Sequence, residues 1–152
     1  MGGLQLHKKK LIKNDIILCN CDVLVDTDFN EMYNFHNKSK SDLTIVASAK
    51  NYEIPYGICH IDKKGKLKKI VEKPKTRLFV NTGLYIMKPK ILNLIPKKRF
   101  FHMTQLIELV KKKKYSVAVY PIGDKDWIDM GELSSYNQHI DFQEKKIFQA
   151  ED

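Results

Sequence analysis

The sequence predicts an α/β domain in which helices cover a mostly parallel sheet and a β-rich insert interrupts the alternation. Residues 15–19 and 42–48 are short apolar runs, rich in β-branched side chains, that are typical of buried strands. Residues 28–38 lie between them and carry apolar side chains at helical spacing. A strand, a helix and a second strand within about 35 residues form the pattern of a β–α–β unit, whose strands run parallel.

The helix of this unit has a recognisable start. Asp28 precedes the apolar residues and Glu31 follows three positions later, which is a capping-box pattern that satisfies free N–H groups of the first turn. The apolar positions of the helix follow the spacing i, i+3, i+4 and i+7 and are Phe29, Met32, Tyr33 and His36. We expect this face to cover the sheet and the first strand to lie inside the sheet.

The middle of the chain has a different character. Residues 56–62 and 67–73 have the pattern of strands around a glycine-containing turn at 63–66, which predicts a β-hairpin. The elements predicted after it are a strand at 80–88, a helix at 102–114, a strand at 115–122 and a closing helix at 132–142. No repeat or linker divides the sequence, so we expect a single domain over residues 1–152.

Composition excludes several classes of protein. The chain has 152 residues and 43% apolar content, which is enough for the core of one ordinary domain. No apolar run approaches the ~18 residues of a membrane span, and the opening residues lack the pattern of a signal peptide. Three cysteines fit a reducing compartment better than a disulfide framework. We therefore expect a soluble, cytoplasmic protein with free thiols and no membrane partner.

The net charge of +9 raises the question of a nucleic-acid partner. Runs of lysine next to turns account for this charge, and such runs are usually solvated surface. A nucleic-acid-binding face is expected to carry arginine and interleaved aromatic residues. Arg77 and Arg99 are the only arginines in the sequence. We predict no nucleic-acid partner, and a basic nucleic-acid-binding α/β domain stays open as an alternative.

A carboxylate stands where the first strand should end. Asp22 follows the run at 15–19, and ligands of open α/β sheets bind beyond the carboxyl ends of the strands. Side chains alternate along a strand, so Cys19 and Cys21 share one face and Asn20 and Asp22 the other. The two cysteines make a poor zinc site because no second ligand pair lies at suitable spacing, and we interpret them as small apolar residues.

Five short segments occur in a fixed order along the chain. They are N-C-D at 20–22, Y-G at 56–57, V-E-K-P at 71–74, V-N-T-G-L-Y at 80–85 and W-I-D-M-G at 127–131. In this order they resemble the sugar-phosphate-binding part of the sugar-1-phosphate nucleotidyltransferases, or nucleotide-sugar pyrophosphorylases. The resemblance covers nearly the whole chain and implies a Rossmann-like, three-layer α/β fold, here a partial one, with the β-rich insert as its sugar-binding part.

The resemblance also implies a reaction and a metal ion. In this family a sugar 1-phosphate attacks the α-phosphorus of a nucleoside triphosphate and releases pyrophosphate, while the protein positions both substrates and offsets their charge. Mg²⁺ prefers a few carboxylates together with phosphate oxygens and water. By resemblance, Asp22 and Asp129 are the metal ligands, and they are the catalytic candidates together with Lys73. The alternative for each aspartate is a turn residue.

The same resemblance assigns the sugar side of the site. The substrate-binding residues that it implies are Gly57, Glu72, Lys73, Asn81, Gly83 and Trp127. Glu72 can accept hydrogen bonds from sugar hydroxyls, Lys73 can contact the sugar phosphate, and Asn81 offers both a donor and an acceptor. The two glycines let the backbone approach a ligand closely. Packing alone is the alternative for Trp127, and a strand-end charge pair is the alternative for Glu72 and Lys73.

Two departures from the family pattern bear on activity. Cys21 occupies the place before the first metal aspartate where the family usually has glycine. The glycine-rich loop G-G-x-G-x-R that holds the triphosphate is not found in the sequence, and only Gly2 and Gly3 resemble a helix start that lies against the nucleotide. We expect this chain alone to lack significant activity and to associate with itself. A non-catalytic module that binds a sugar phosphate is the other alternative.

Overall fold

A computed structural model describes residues 13–96 and 100–131. Its strands are β1 (Ile16–Cys19), β2 (Val23–Val25), β3 (Leu43–Glu53), β4 (Ile58–Ile61), β5 (Leu67–Val71), β6 (Lys75–Met87), β7 (Val117–Ile122) and β8 (Trp127–Asp129). Its α-helices are α1 (Phe29–Lys38) and α2 (Met103–Lys112), and two 3₁₀ helices span Pro89–Leu94 and Asp124–Asp126. The helix predicted at 132–142 lies outside the described residues. Within the two described ranges, no helix is long and apolar enough to span a membrane.

Four strands form the main sheet in the order β1, β6, β3, β7. β3 pairs with β7 in parallel, whereas β6 pairs antiparallel with both β1 and β3. Three of the four strands therefore run in one direction, which confirms an α/β fold with a mixed sheet. The expected position of the first strand is wrong for the described part of the chain. β6 hydrogen-bonds to the strands on both of its sides, so it separates β1 from β3 and leaves β1 at the edge.

Helix α1 begins as predicted. The Asp28 side chain caps it by accepting hydrogen bonds from the backbone N–H groups of Asn30 at 2.7 Å and Glu31 at 3.2 Å. Its predicted apolar face is only half correct, because Met32 and His36 are buried whereas Phe29 and Tyr33 are exposed. The helix therefore contacts the sheet along a narrower stripe than its composition suggests.

Two apolar clusters lie on opposite faces of the sheet. Successive side chains of β6 alternate between them, since Leu84 belongs to one cluster and Tyr85 to the other. The first cluster contains Met32 of α1 and consists of Met32, Val46, Leu84, Ile86 and Ile122. The second contains Leu106 and Val110 of α2 and consists of Ile16, Leu43, Tyr85, Met87, Ile91, Leu92, Ile95, Phe101, Leu106 and Val110. With a helix on each face, the body of the chain has the three layers that were expected.

The predicted β-rich insert is present as an exposed arm. We call residues 51–79 the β-arm; it comprises the outer halves of β3 and β6 together with the β4–β5 hairpin. None of its residues is buried. The hairpin turns at Gly65, whose φ of +80° suits glycine. The Asp62 carboxylate accepts hydrogen bonds from the backbone N–H groups of Lys64 and Lys66. β6 begins five residues before the predicted strand because its ladder with β3 continues to the pair Glu53 and Lys75.

Candidate functional site

The short β2–β8 ribbon brings the two predicted metal ligands together. Asp129 lies opposite Val23 in this antiparallel pair, and the Met130 N–H donates to the Asp22 carbonyl oxygen at 2.8 Å. A Cβ placed on Gly131 would lie 3.1 Å from Asp129 Oδ1 and 3.7 Å from Asp22 Oδ2. Both carboxylates thus border the same small space, which the missing side chain of Gly131 leaves open. We call Asp22, Asp129 and Gly131 the carboxylate site.

The donor set of the carboxylate site consists of two carboxylates, the kind of ligand that Mg²⁺ prefers. Among residues 13–96 and 100–131, no group of three or more His, Cys, Asp or Glu side chains could hold a metal. Two carboxylates are sufficient for Mg²⁺, which keeps several waters and takes phosphate oxygens as further ligands. Partial desolvation of the Cys19 thiol, with the charges of Asp22 and Cys21, raises its pKa, which disfavours the thiolate form that binds a metal.

Asn20 and Gly83 join the carboxylate site to the main sheet. The Asn20 N–H donates to the Gly83 carbonyl oxygen at 3.0 Å. Gly83 has a φ of +84°, and a Cβ at this position would lie 2.7 Å from Asn20 Nδ2 and 2.8 Å from Asn20 Cγ. The position therefore requires glycine for two reasons, its backbone conformation and the close approach of the asparagine. Asn20 belongs to the N-C-D segment, but the sequence analysis assigned it no role in the site.

Asn81 makes hydrogen bonds inside the strand that carries it. Its Nδ2 donates to the Tyr85 hydroxyl at 2.7 Å, and its Oδ1 accepts the Gly83 N–H at 3.1 Å. Burial raises the pKa of Tyr85, and the bond from Asn81 partly offsets that rise. One amide hydrogen and one oxygen lone pair of Asn81 remain for a ligand. The side chain is thus held in one orientation at the exposed surface of β6.

Trp127 is also tied to β6. Its indole Nε1 donates to the Thr82 carbonyl oxygen at 3.1 Å, and the side chain is half-buried. Trp127 and Asp129 are two positions apart in β8, so their side chains project from the same face of that strand. The three segments N-C-D, V-N-T-G-L-Y and W-I-D-M-G therefore meet at one place, at the ends of β1 and β8 and beside β6.

The two hairpin segments meet at a second place. A Cβ on Gly57 would lie 2.8 Å from Glu72 Oε2, so Y-G and V-E-K-P are adjacent across the base of the hairpin. Lys73 has a φ of +42°, an uncommon conformation for a lysine. Asn81 lies six residues after the first residue of β6, which is about 20 Å along an extended strand. Glu72 and Lys73 stand at the arm end of β6, and the carboxylate site stands at the body end.

Besides Asn20, three residues at or beside the carboxylate site were given no role from the sequence. Gly131 provides the open space between the aspartates, and Lys50 and Asp124 form an ion pair beside Trp127. Gly131 had a usable signal, since it follows Asp129 in the W-I-D-M-G segment. Lys50 had none, because one lysine among many carries no pattern. Gly2 and Gly3, the predicted nucleotide-binding residues, lie outside the described residues.

Curated relatives of this chain act on sugar phosphates. The family model described as nucleotidyl transferase matches residues 3–146. The chain is 32% identical over 143 residues to the mannose-1-phosphate guanyltransferase of Debaryomyces hansenii, covering 89% of this chain and 38% of the relative. It is 26% identical over 132 residues to the UTP–glucose-1-phosphate uridylyltransferase of a Synechocystis species, covering 82% of this chain and 34% of the relative. This chain thus spans well under half the length of either relative.

Solved structures share the fold. A putative glucose-1-phosphate thymidylyltransferase from Bacillus anthracis superposes with a TM-score of 0.63 at 16% identity, covering 91% of this chain and 58% of that one. HddC from Yersinia pseudotuberculosis superposes with a TM-score of 0.62 at 22% identity, covering 90% and 59%. The fold, the order of the five segments and the match to the family model lead to one assignment: this chain belongs to the nucleotidyl transferase family, among the sugar-1-phosphate nucleotidyltransferases.

Proposed function

We propose that this chain carries the metal and sugar-phosphate side of an Mg²⁺-dependent enzyme that transfers a nucleotidyl group from a nucleoside triphosphate to a sugar 1-phosphate. The reaction releases pyrophosphate and forms a nucleotide sugar. The observation that supports it is the carboxylate site, where Asp22 and Asp129 border one open space beside Gly131. The relatives named for mannose 1-phosphate and glucose 1-phosphate support a hexose 1-phosphate as the acceptor.

The chemistry demands positioning and charge compensation more than proton transfer. Asp22 and Asp129 are the residues that would hold Mg²⁺, which when bound offsets negative charge on the phosphates. Asp129 Oδ1 already accepts the Gly131 N–H at 2.9 Å, and this bond fixes the carboxylate in its orientation. Such preorganisation keeps the carboxylates in place while the substrates bind.

The acceptor side is proposed to use the remaining predicted residues. Asn81 is held by Tyr85 and Gly83 with one donor and one acceptor free for a sugar hydroxyl, and Trp127 offers an aromatic wall. Glu72 and Lys73 would contact the hydroxyls and the phosphate from the β-arm, with Gly57 leaving room for the Glu72 carboxylate. We propose that the residues of the body and those of the β-arm contact one sugar phosphate in a single pocket. Such a pocket requires the β-arm to curve toward the body.

We propose that this chain alone has no significant transferase activity. The sequence has no glycine-rich segment of the kind that holds a triphosphate, apart from Gly2 and Gly3. Without such a nest of N–H groups, a transferase lacks positioning and charge stabilisation worth orders of magnitude in rate.

We also propose the cytoplasm as the compartment. The thiols of Cys19, Cys21 and Cys59 are free and exposed, which is in keeping with a reducing environment.

Self-association is part of the same proposal. The β-arm exposes eight large apolar side chains: Tyr52, Ile54, Tyr56, Ile61, Leu67, Ile70, Leu78 and Phe79. β1 adds an edge whose outer hydrogen-bonding groups face no strand in residues 13–96 and 100–131, and Ile17 on it is half exposed. Exposed apolar surface and open strand edges both promote association.

The test combines metal binding with turnover. Mn²⁺ binding, followed by electron paramagnetic resonance, should weaken at least about ten-fold in Asp22→Asn and in Asp129→Asn, because each variant removes one of two charged ligands. Glu108→Gln is the matched control, since Glu108 is an exposed carboxylate on α2. Equal Mn²⁺ affinity in all four proteins would contradict the proposed metal site.

Turnover is measured as pyrophosphate release with a panel of nucleoside triphosphates and hexose 1-phosphates. We expect no release above background from this chain and chemical-shift changes at Glu72, Lys73 and Asn81 on titration with a hexose 1-phosphate. Robust release by a monomer would overturn the proposed inactivity. Shifts confined to lysines of the exposed surface would indicate nonspecific anion binding and would contradict the proposed pocket.

A further inference from the structure

The turn between β7 and β8, residues 123–126, is anchored on β3. Ser48 Oγ donates to the Gly123 carbonyl oxygen at 3.1 Å. Two residues further along β3, Lys50 forms an ion pair with Asp124, and its ammonium group is also 3.5 Å from the Asp124 carbonyl oxygen. Two side chains of one strand therefore hold the segment that leads directly into β8.

Lys50 makes a second contact in addition to the ion pair. Its Nζ lies over the ring of Trp127, 5.2 Å from the ring centroid. This distance is within the range of favourable cation–π interactions, and the lysine side chain is only 26% exposed. Lys50 thus covers one face of the indole while the indole N–H is bound to the Thr82 carbonyl oxygen. The two contacts together leave the ring a single orientation.

Strand β8 depends on such anchors. It has three residues, and within the described ranges it pairs only with the three-residue strand β2. A two-stranded ribbon is marginally stable by itself in water, so hydrogen bonding to β2 alone does not fix its position. Asp129 follows Trp127 by two positions and projects from the same face. A change in the position of the indole is therefore transmitted to the Asp129 carboxylate.

We infer that Lys50 is a positioning residue of the carboxylate site, which with Asp124 holds Trp127, and through it Asp129, in the orientation for metal and sugar-phosphate binding. The inference rests on the proposed role of Asp129. The ammonium group of Lys50 contacts Asp124 and the indole and forms no ion pair with Asp22 or Asp129 among the described residues. Its charge acts through those two partners.

Intrinsic fluorescence gives a direct test, because Trp127 is the only tryptophan of the chain. Lys50→Met removes the charge and keeps most of the length, so the emission should shift to the red and acrylamide quenching should increase without any ligand. Lys50→Arg keeps a cation for both partners and should restore wild-type quenching. Asp124→Asn weakens one of the two contacts and should give an intermediate value.

Lys75→Met is the matched control. Lys75 of β6 forms a cross-strand ion pair with Glu53 of β3, 3.3 Å away, and this pair lies in the β-arm, away from Trp127. Its replacement should leave the fluorescence unchanged. Thermal midpoints of all variants should stay within about 5 °C of the wild type, since both ion pairs are at least partly exposed and such pairs contribute little to stability.

Metal affinity then separates a positioning role from a merely structural one. Mn²⁺ affinity should fall about three- to ten-fold in Lys50→Met, as expected for the loss of a partly buried cation–π contact, and should recover in Lys50→Arg. Wild-type quenching and wild-type Mn²⁺ affinity in Lys50→Met would overturn the inference. A wild-type protein that binds no Mn²⁺ would contradict the proposed function instead, and the ligand-free quenching would still decide whether Lys50 holds Trp127.

Discussion

Strand β6 passes through two environments within thirteen residues. Its last six residues, Thr82 to Met87, are all buried between the two apolar clusters of the body. Its first five, in the β-arm, are all exposed, although they make the same kind of ladder with β3. Pairing with β3 is therefore common to both halves, whereas the body half also pairs with β1 and is covered on both faces. A ladder with β3 alone does not bury this strand, and a second neighbouring strand with helices on both faces does.

The largest difference is expected between two leucines of this one strand. Leu84 is 1% exposed and Leu78 is 49% exposed. Leu84→Ala should lower the free energy of unfolding by about 2–5 kcal/mol, because it leaves a cavity in a packed cluster. Leu78→Ala should change it by no more than about 0.5 kcal/mol. Urea denaturation followed by circular dichroism measures both. Similar losses would mean that the β-arm is covered in solution.

Two glycines give the next largest contrast. Gly83→Ala in the body should cost about 1–3 kcal/mol, because alanine is strained at a φ of +84° and its Cβ would collide with the Asn20 side chain. Gly57→Ala in the β-arm should cost less than about 1 kcal/mol, because the mobile end of Glu72 can move aside. The Gly57 variant should instead weaken hexose 1-phosphate binding. Equal stability losses in urea would show that the Glu72 end of the arm is as rigid as the body.

The pH dependence of stability should come from the body. Burial lowers the pKa of His36 below its usual value of 6.5; Asp15 and Asp42 oppose this effect and Lys88 adds to it. His36 therefore takes up its proton at a higher pH in the unfolded chain than in the folded chain. Its effect on the free energy of unfolding is absent above about pH 6.5, and stability declines as the pH falls below that value. His36→Gln should remove the decline that begins as the pH falls below about 6.5. A profile with the same slope in that variant would assign the effect to another group.

A second titration should occur at lower pH. Burial acts to raise the pKa of Asp42, but hydrogen bonds from Lys90 and the Ser116 N–H, with the charges of Lys90 and Lys88, outweigh it and hold the pKa below its usual 3.8. This carboxylate stabilises the fold above its unfolded pKa and loses that effect as the pH falls toward the folded value. His36→Gln keeps this carboxylate and its partners, so it should leave the decline below about pH 3.8 in place.

The smallest effect on stability is expected for substitutions in the exposed apolar surface of the β-arm. Their main effect should be on self-association. Phe79→Ser removes a side chain that is 57% exposed and should change the free energy of unfolding by no more than about 0.5 kcal/mol. It should lower the mass found by light scattering toward that of a monomer. Lys69→Ser, a change at another exposed position of the arm, is the control that should leave the mass unaltered. Unchanged association in Phe79→Ser would place the contact elsewhere, for example at the β1 edge.

Sequence patterns predicted the local elements well where hydrophobic periodicity and turn residues agree. The Asp28 cap, the β4–β5 hairpin around Gly65 and helix α2 all follow from neighbouring residues. The patterns failed for the sheet order, because the strand that lies beside β1 is set by long-range pairing and not by nearness in sequence. They also overestimated the apolar face of α1, since Phe29 and Tyr33 suit a helix but receive no cover in the described structure.

The candidate site shows the same division. Five ordered segments were enough to predict the family, which the family model confirms, because a segment order is a property of the chain. The same segments led to the prediction of Asp22 and Asp129 as metal ligands. Tertiary structure alone decided that Gly131 opens a space between the two carboxylates and that Asn20 packs on Gly83. It also decided that Lys50, one lysine among many, lies over Trp127. Contacts between distant segments depend on how β3, β6 and β8 are placed together, and no local spacing encodes that placement.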